Sequence, residues 1–160
     1  MPSGSIFSKI LKEQGKAVHI GVSNFPMKLL RQAMEDFSAP IFCNQVEYHA
    51  LLGQFDLLDY ASEHDLLVTA YSPLAQGRLA LHPTLDKIAK KYDKTASQVA
   101  LKWLVEQEQV VAIPKGTSEE HLLENLDALS FDLEDDDFYA IDDLDKTTRI
   151  VTPDFAPDWD

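Results

Sequence analysis

The sequence predicts an α/β fold built from parallel βαβ units. Three observations lead there. Four short runs of apolar, mostly β-branched residues occur at 17–22, 41–46, 66–71 and 110–113. Between them lie stretches whose apolar residues recur three and four apart, the period of a helix with one buried face. Strands alternating with amphipathic helices favour a parallel sheet over hairpins. No Gly-rich GxGxxG follows any of the strands, which disfavours a Rossmann dinucleotide site.

Each element has its own signal. A short helix around 7–14 is expected to end at Gly15, ahead of the first strand. Leu29, Leu30, Ala33, Met34 and Phe37 stripe the next helix. Pro40 introduces the second strand. Phe55, Leu58 and Ala61 mark a helix before the third strand, which runs into the turn-rich Ser72-Pro73-Leu74-Ala75-Gln76-Gly77. Two helices then precede the fourth strand. Leu85, Ile88, Ala89 and Tyr92 face inward on the first. Thr95 caps the second, with Gln98 three residues on as in a capping box, and its buried face is Ala96, Val99, Ala100, Trp103 and Leu104. Pro114 closes the fourth strand, Ser118 opens a helix over 121–129, and another is expected over 132–144. The tail, 149–160, lacks periodicity and reads as an irregular surface segment, with Trp159 either anchored or loose.

At 160 residues, 45% hydrophobic and 26% charged, the chain suits one globular domain, 1–160, with a real core. No apolar stretch approaches the roughly 20 residues of a membrane span. Met-Pro-Ser-Gly-Ser at the start does not resemble a signal peptide, so a cytoplasmic location is expected. The net charge of -13 would repel phosphate backbones and anionic membranes, so nucleic-acid and membrane partners are not expected. The lone Cys43, in an apolar run, reads as a buried, inert thiol. His19, His64 and His82 stand singly, so no metal site is expected.

In parallel βα folds, ligands sit at the C-terminal ends of the strands. Those ends here are Ser23-Asn24, Gln45-Val46-Glu47-Tyr48-His49, Tyr71-Ser72-Pro73-Leu74 and Pro114-Lys115-Gly116-Thr117. Hydroxyls and amides suit an uncharged amide-bearing ligand, and a tyrosine gives it a stacking surface. Lysine beside a helix start suits a phosphate.

The segments Gly21-Val22-Ser23-Asn24-Phe25, Asn44-Gln45-Val46-Glu47-Tyr48-His49, Ala70-Tyr71-Ser72-Pro73-Leu74 and Ile113-Pro114-Lys115-Gly116 resemble, in order and spacing, the strand-end motifs of the aldo/keto reductase family. The resemblance implies a partial TIM (β/α)8 barrel, its four C-terminal strands with their helices, and carbonyl reduction by hydride transfer from NADP(H) ahead of NAD(H). It implies that Ser23, Asn24 and Gln45 hold the nicotinamide carboxamide, and that the ring stacks on Tyr71. Ser72 and Leu74 match contacts to the pyrophosphate; Lys115, Gly116 and Thr117 match the stretch facing the 2′-phosphate; Glu124 and Asn125 match residues holding the adenine. His121 stands where the family commonly has arginine, and lacks arginine's permanently charged fork for the 2′-phosphate. Ala50 replaces a proline.

The family's tetrad of aspartate, tyrosine, lysine and histidine belongs to the half of the barrel that this sequence does not show, so no catalytic residue is assigned. Tyr48 and His49 are neighbours on an extended segment and point to opposite faces, which makes them poor substitutes. The expectation is a truncated or split reductase, inactive alone, that pairs with an N-terminal half-barrel or with itself and meets a small carbonyl substrate only when completed. The alternative is a cofactor-binding or scaffolding module without chemistry.

Overall fold

The computed structural model describes residues 10–154 and 156–159. The expected helix at 7–14 lies partly outside these residues, and its described part is helical at 10–13. Four parallel strands form one sheet in sequence order: β1 (Ile20–Ser23), β2 (Ile41–Glu47), β3 (Leu67–Tyr71) and β4 (Val110–Ala112). β1 begins three residues later than the apolar run suggests, because its pairing starts at Ile20 against Ile41 and Val18 is left 77% exposed.

Helix α1 (Met27–Arg31) continues as one wider π turn, Gln32–Asp36, within what the sequence presents as a single stripe. α2 (Phe55–Glu63) follows β2. After β3, a 3-10 segment, Ala75–Leu81, carries three consecutive left-handed residues, Ala75, Gln76 and Gly77. α3 (Pro83–Tyr92) and α4 (Ala96–Val105) precede β4, and α5 (Glu119–Asp127) and α6 (Asp135–Asp142) follow it. The Thr95 capping box forms as expected: the hydroxyl accepts from Gln98 N at 3.2 Å, and Gln98 Oε1 accepts from Thr95 N at 2.8 Å.

Register decides which side chains share a face. Val22, Asn44, Val68 and Val110 stand side by side, with Val46, Ala70 and Ala112 one pleat on. This face meets the helices, and Asn44, Val68 and Ala70 are fully buried. Trp103 of α4 lies at its centre, fully buried, edge-on to the Tyr48 ring at 5.5 Å. The Tyr48 hydroxyl donates to Gln107 Oε1. The opposite face carries Gly21, Cys43 and Leu67, then Ser23, Gln45, Thr69 and Val111, then Glu47 and Tyr71. It is mostly open: Val111 and Ile113 are each 44% exposed. Cys43 is consequently half-buried rather than enclosed as expected.

The tail is irregular in backbone and none of its described residues is buried, as its composition suggests, but its start and the chain leading into it are tied down. Thr148 N donates to Leu51 O at 2.8 Å, and Gly53 N to Lys146 O at 3.0 Å. The fully buried Glu47 accepts from Ile150 N at 2.7 Å through Oε1 and from Val151 N at 3.0 Å through Oε2. No helix among the described residues is long and apolar enough to cross a membrane. Among them, no group of three or more His, Cys, Asp or Glu side chains could hold a metal ion.

Candidate functional site at the strand ends

The C-terminal end of β1 is shaped from behind. Asn44, buried on the helix side of β2, accepts from Phe25 N at 3.4 Å and donates to Phe25 O at 2.9 Å. That double tie holds the turn in which Asn24 adopts a left-handed φ of 55°, a conformation that asparagine tolerates better than most residues. Asn24 N donates to Gln45 O at 2.9 Å, and Ser23 Oγ donates to the same carbonyl at 3.1 Å. The Asn24 amide lies near the Tyr71 hydroxyl and acts to lower its pKa. Its Oδ1 is buried and has no partner. Ser23, Asn24, Gln45 and Tyr71 therefore form one connected group at the ends of three adjacent strands.

Burial, followed by the nearby Glu47 carboxylate, raises the Tyr71 phenol above its ordinary range and keeps it neutral. His49 is fixed next to it. Its Nδ1 accepts from Leu51 N at 3.2 Å, which leaves the proton on Nε2, 3.1 Å from Glu47 Oε1. Burial pushes its pKa down. Tyr48 and His49 are thus occupied structurally, on opposite sides of the chain.

Ser72, Leu74 and Lys115 line a second part of the rim, a cavity of about 530 Å³ shared with Gln76. Ser72 is left-handed, and its carbonyl accepts from Ala75 N at 2.8 Å. A Cβ at Gly116 would stand 2.6 Å from Leu122 Cδ2, so a larger residue there would have to displace that exposed side chain. Thr117 and His121 are exposed at the start of α5, where Ser118 Oγ accepts from His121 N at 3.2 Å.

The remaining two expected residues are placed differently. Glu124 accepts from Thr95 Oγ1 at 2.8 Å, so its carboxylate is spent on the start of α4. Asn125 lines an apolar groove of about 410 Å³ with Leu101, Leu122 and Leu126. The sequence reading assigned no role to Asn44, Glu47 or Arg149. A buried asparagine on an apolar strand face and a carboxylate within a strand are the signals that could have found the first two.

Against known proteins, residues 7–146 match the model of the aldo/keto reductase family. Glyoxal reductase of Bacillus subtilis (strain 168) is 39% identical over 140 residues, covering 88% of this chain and 50% of that protein. The crystal structure of a putative 2,5-diketo-D-gluconic acid reductase B superposes with a TM-score of 0.90 at 37% identity, over 96% of this chain and 55% of that one. A Gox0644 mutant in complex with NADPH superposes at 0.79 with 30% identity, over 89% and 56%. The chain spans about half the length of the curated relatives it matches. With four strand-end motifs in register on a parallel βα sheet and a family match over most of its length, the chain belongs to the aldo/keto reductase family.

Proposed function

We propose that this chain is the cofactor-holding part of an NAD(P)H-dependent carbonyl reductase. The observation that carries the reading is Asn24, whose buried Oδ1 lacks a partner beside the Tyr71 ring, at the open mouth of the sheet. A buried acceptor left unsatisfied costs about 1–3 kcal/mol, and the N–H of a nicotinamide carboxamide would satisfy it. Bound there, the cofactor supplies hydride to a small carbonyl compound.

The chain's own residues bind and orient. Ser23 and Gln45 flank Asn24 at the carboxamide, and Tyr71 offers a flat surface to the ring. Ser72 and Leu74 meet the pyrophosphate; Lys115, Gly116, Thr117 and His121 meet the adenosine phosphate. The Lys115 charge favours NADP(H) over NAD(H). Asn125 serves the adenine only at the groove's edge, and Glu124 only by releasing Thr95. Tyr48 and His49 are tied down, and Tyr71 is a stacking surface, so the proton reaching the carbonyl comes from elsewhere. We place its donor on further βα units that cover the half-exposed Val111 and Ile113 and pair with the free edges of β1 and β4. A cytoplasmic setting, where reduced cofactor is abundant, goes with this reading.

Titrating the purified chain with NADPH and with NADH, followed by cofactor fluorescence, tests it. NADPH is expected to bind several-fold tighter, Lys115→Ala to erase that difference, and Asn24→Ala to weaken both about tenfold or more. Absence of saturable binding would refute the proposal. Carbonyl reduction on co-expression with the other half of a relative's barrel separates a split enzyme from a binding module without chemistry.

A further inference from the structure

Asn44 is polar where its own strand has no need of a polar group. It is fully buried on the helix side of β2, and its register neighbours on that face are Val22 and Val68. An apolar side chain would pack there without the cost of desolvating an amide. The amide is spent on one residue, Phe25, accepting from its backbone N–H at 3.4 Å and donating to its carbonyl at 2.9 Å.

Phe25 belongs to the short link of Asn24, Phe25 and Pro26 between β1 and α1. Proline disfavours helical backbone at the residue before it, so α1 cannot extend backwards to pair the two Phe25 groups. A short side-chain amide offers a donor and an acceptor at once. A carboxylate only accepts, and an apolar residue does neither. The residue type at position 44 is therefore matched to this turn.

On the other side of the turn stands Asn24, with a φ of 55° and its Oδ1 buried and unpartnered. Gln45 anchors the same link through its main chain: its carbonyl accepts from Asn24 N at 2.9 Å and from Ser23 Oγ at 3.1 Å. Consecutive residues of β2 thus grip the turn, one by its backbone and one by its side chain from behind. The backbone grip fixes where the chain passes. The Asn44 grip fixes how Asn24 is turned, because rotating Asn24 out of the left-handed region would carry Phe25 away from the amide.

We infer that Asn44 is a positioning residue of the cofactor site, acting through the Phe25 backbone to hold the Asn24 oxygen where a carboxamide N–H can reach it. It touches no cofactor itself, and the inference rests on the cofactor reading above.

Calorimetric titration of the purified chain with NADPH and with adenosine 2′,5′-bisphosphate, which lacks the nicotinamide, tests it. Asn44→Leu branches at the same carbon but cannot hydrogen-bond, and Asn44→Ser is too short to span to Phe25. Both should weaken NADPH about tenfold and leave the bisphosphate within about twofold of the wild type. Asn44→Leu combined with Asn24→Ala should lose little more than Asn24→Ala alone, since both act on one contact. Unchanged NADPH affinity, an equal loss for the bisphosphate in both variants, or additive losses in the double variant would each overturn the positioning role and leave the cofactor reading standing. No saturable NADPH binding by the wild-type chain would overturn both.

Discussion

The two faces of the sheet obey different rules. On the helix side, Val68, Ala70, Trp103 and Leu104 are fully buried, and the buried Asn44 has both ends of its amide satisfied by Phe25. On the other side, Val111 and Ile113 stay 44% exposed, and Asn24 keeps an unsatisfied oxygen. Stability is concentrated where apolar groups are enclosed, although even there Trp103 Nε1 lacks a hydrogen-bond partner. Binding capacity is concentrated where they are not. A neighbouring strand residue, one pleat away, can therefore belong wholly to one regime or the other.

The largest expected effect lies on the closed face. Trp103→Ala should cost about 3–5 kcal/mol of unfolding free energy in chemical denaturation, through lost burial and the cavity left against Tyr48. A loss under about 1 kcal/mol would mean that the helix layer is not the stabilising one. Next comes Glu47, a fully buried carboxylate of the open face. Glu47→Gln should cost about 2–3 kcal/mol, because a charged acceptor for two backbone N–H groups is weakened. Amide exchange at Ile150 and Val151 should accelerate more than at Val68. Uniform acceleration would show that Glu47 acts globally rather than by holding the tail.

Lys146 tests the closed side through pH. It sits 4.4 Å above the Trp103 ring, with its pKa depressed to about 8 from 10.5. Between those values the unfolded chain holds more protons on this residue than the folded one, so its contribution to stability rises with pH across that window. The stability of Lys146→Met relative to the wild type should accordingly fall between pH 8 and pH 10.5. A flat difference would contradict the burial of the charge. The smallest effect belongs to the open face: Val111→Ser should change stability by no more than about 0.5 kcal/mol. A cost approaching that of Trp103→Ala would show that this face is already covered in solution.

Much of this division is legible before any coordinates. The four strands, the Thr95 and Ser118 caps and the Trp103 stripe are local signals, and all four strands form in the expected order. The rim residues Ser23, Asn24, Gln45 and Tyr71 stand at strand ends because the motif spacing tracks strand length. What escaped is non-local. The tail has no period of its own, and the ties at its start come from Glu47, far away in sequence. Glu124 was expected at the adenine, and its tie to Thr95, at the start of another helix, leaves no local signal. The extra π residue after Arg31 is invisible in a 3.6-residue stripe, since Leu30 and Ala33 remain buried either way.

The Glu47 contact joins backbone 103 positions away in the chain. Closing so long a loop is entropically slow, and it can only follow completion of the β2 strand that presents the carboxylate. The C-terminal segment should thus be the last part to settle during refolding, and the Glu47 carboxylate would gain its two backbone donors only then. A nascent or partly unfolded molecule could own a finished sheet and still carry a carboxylate whose distant backbone partners have yet to arrive.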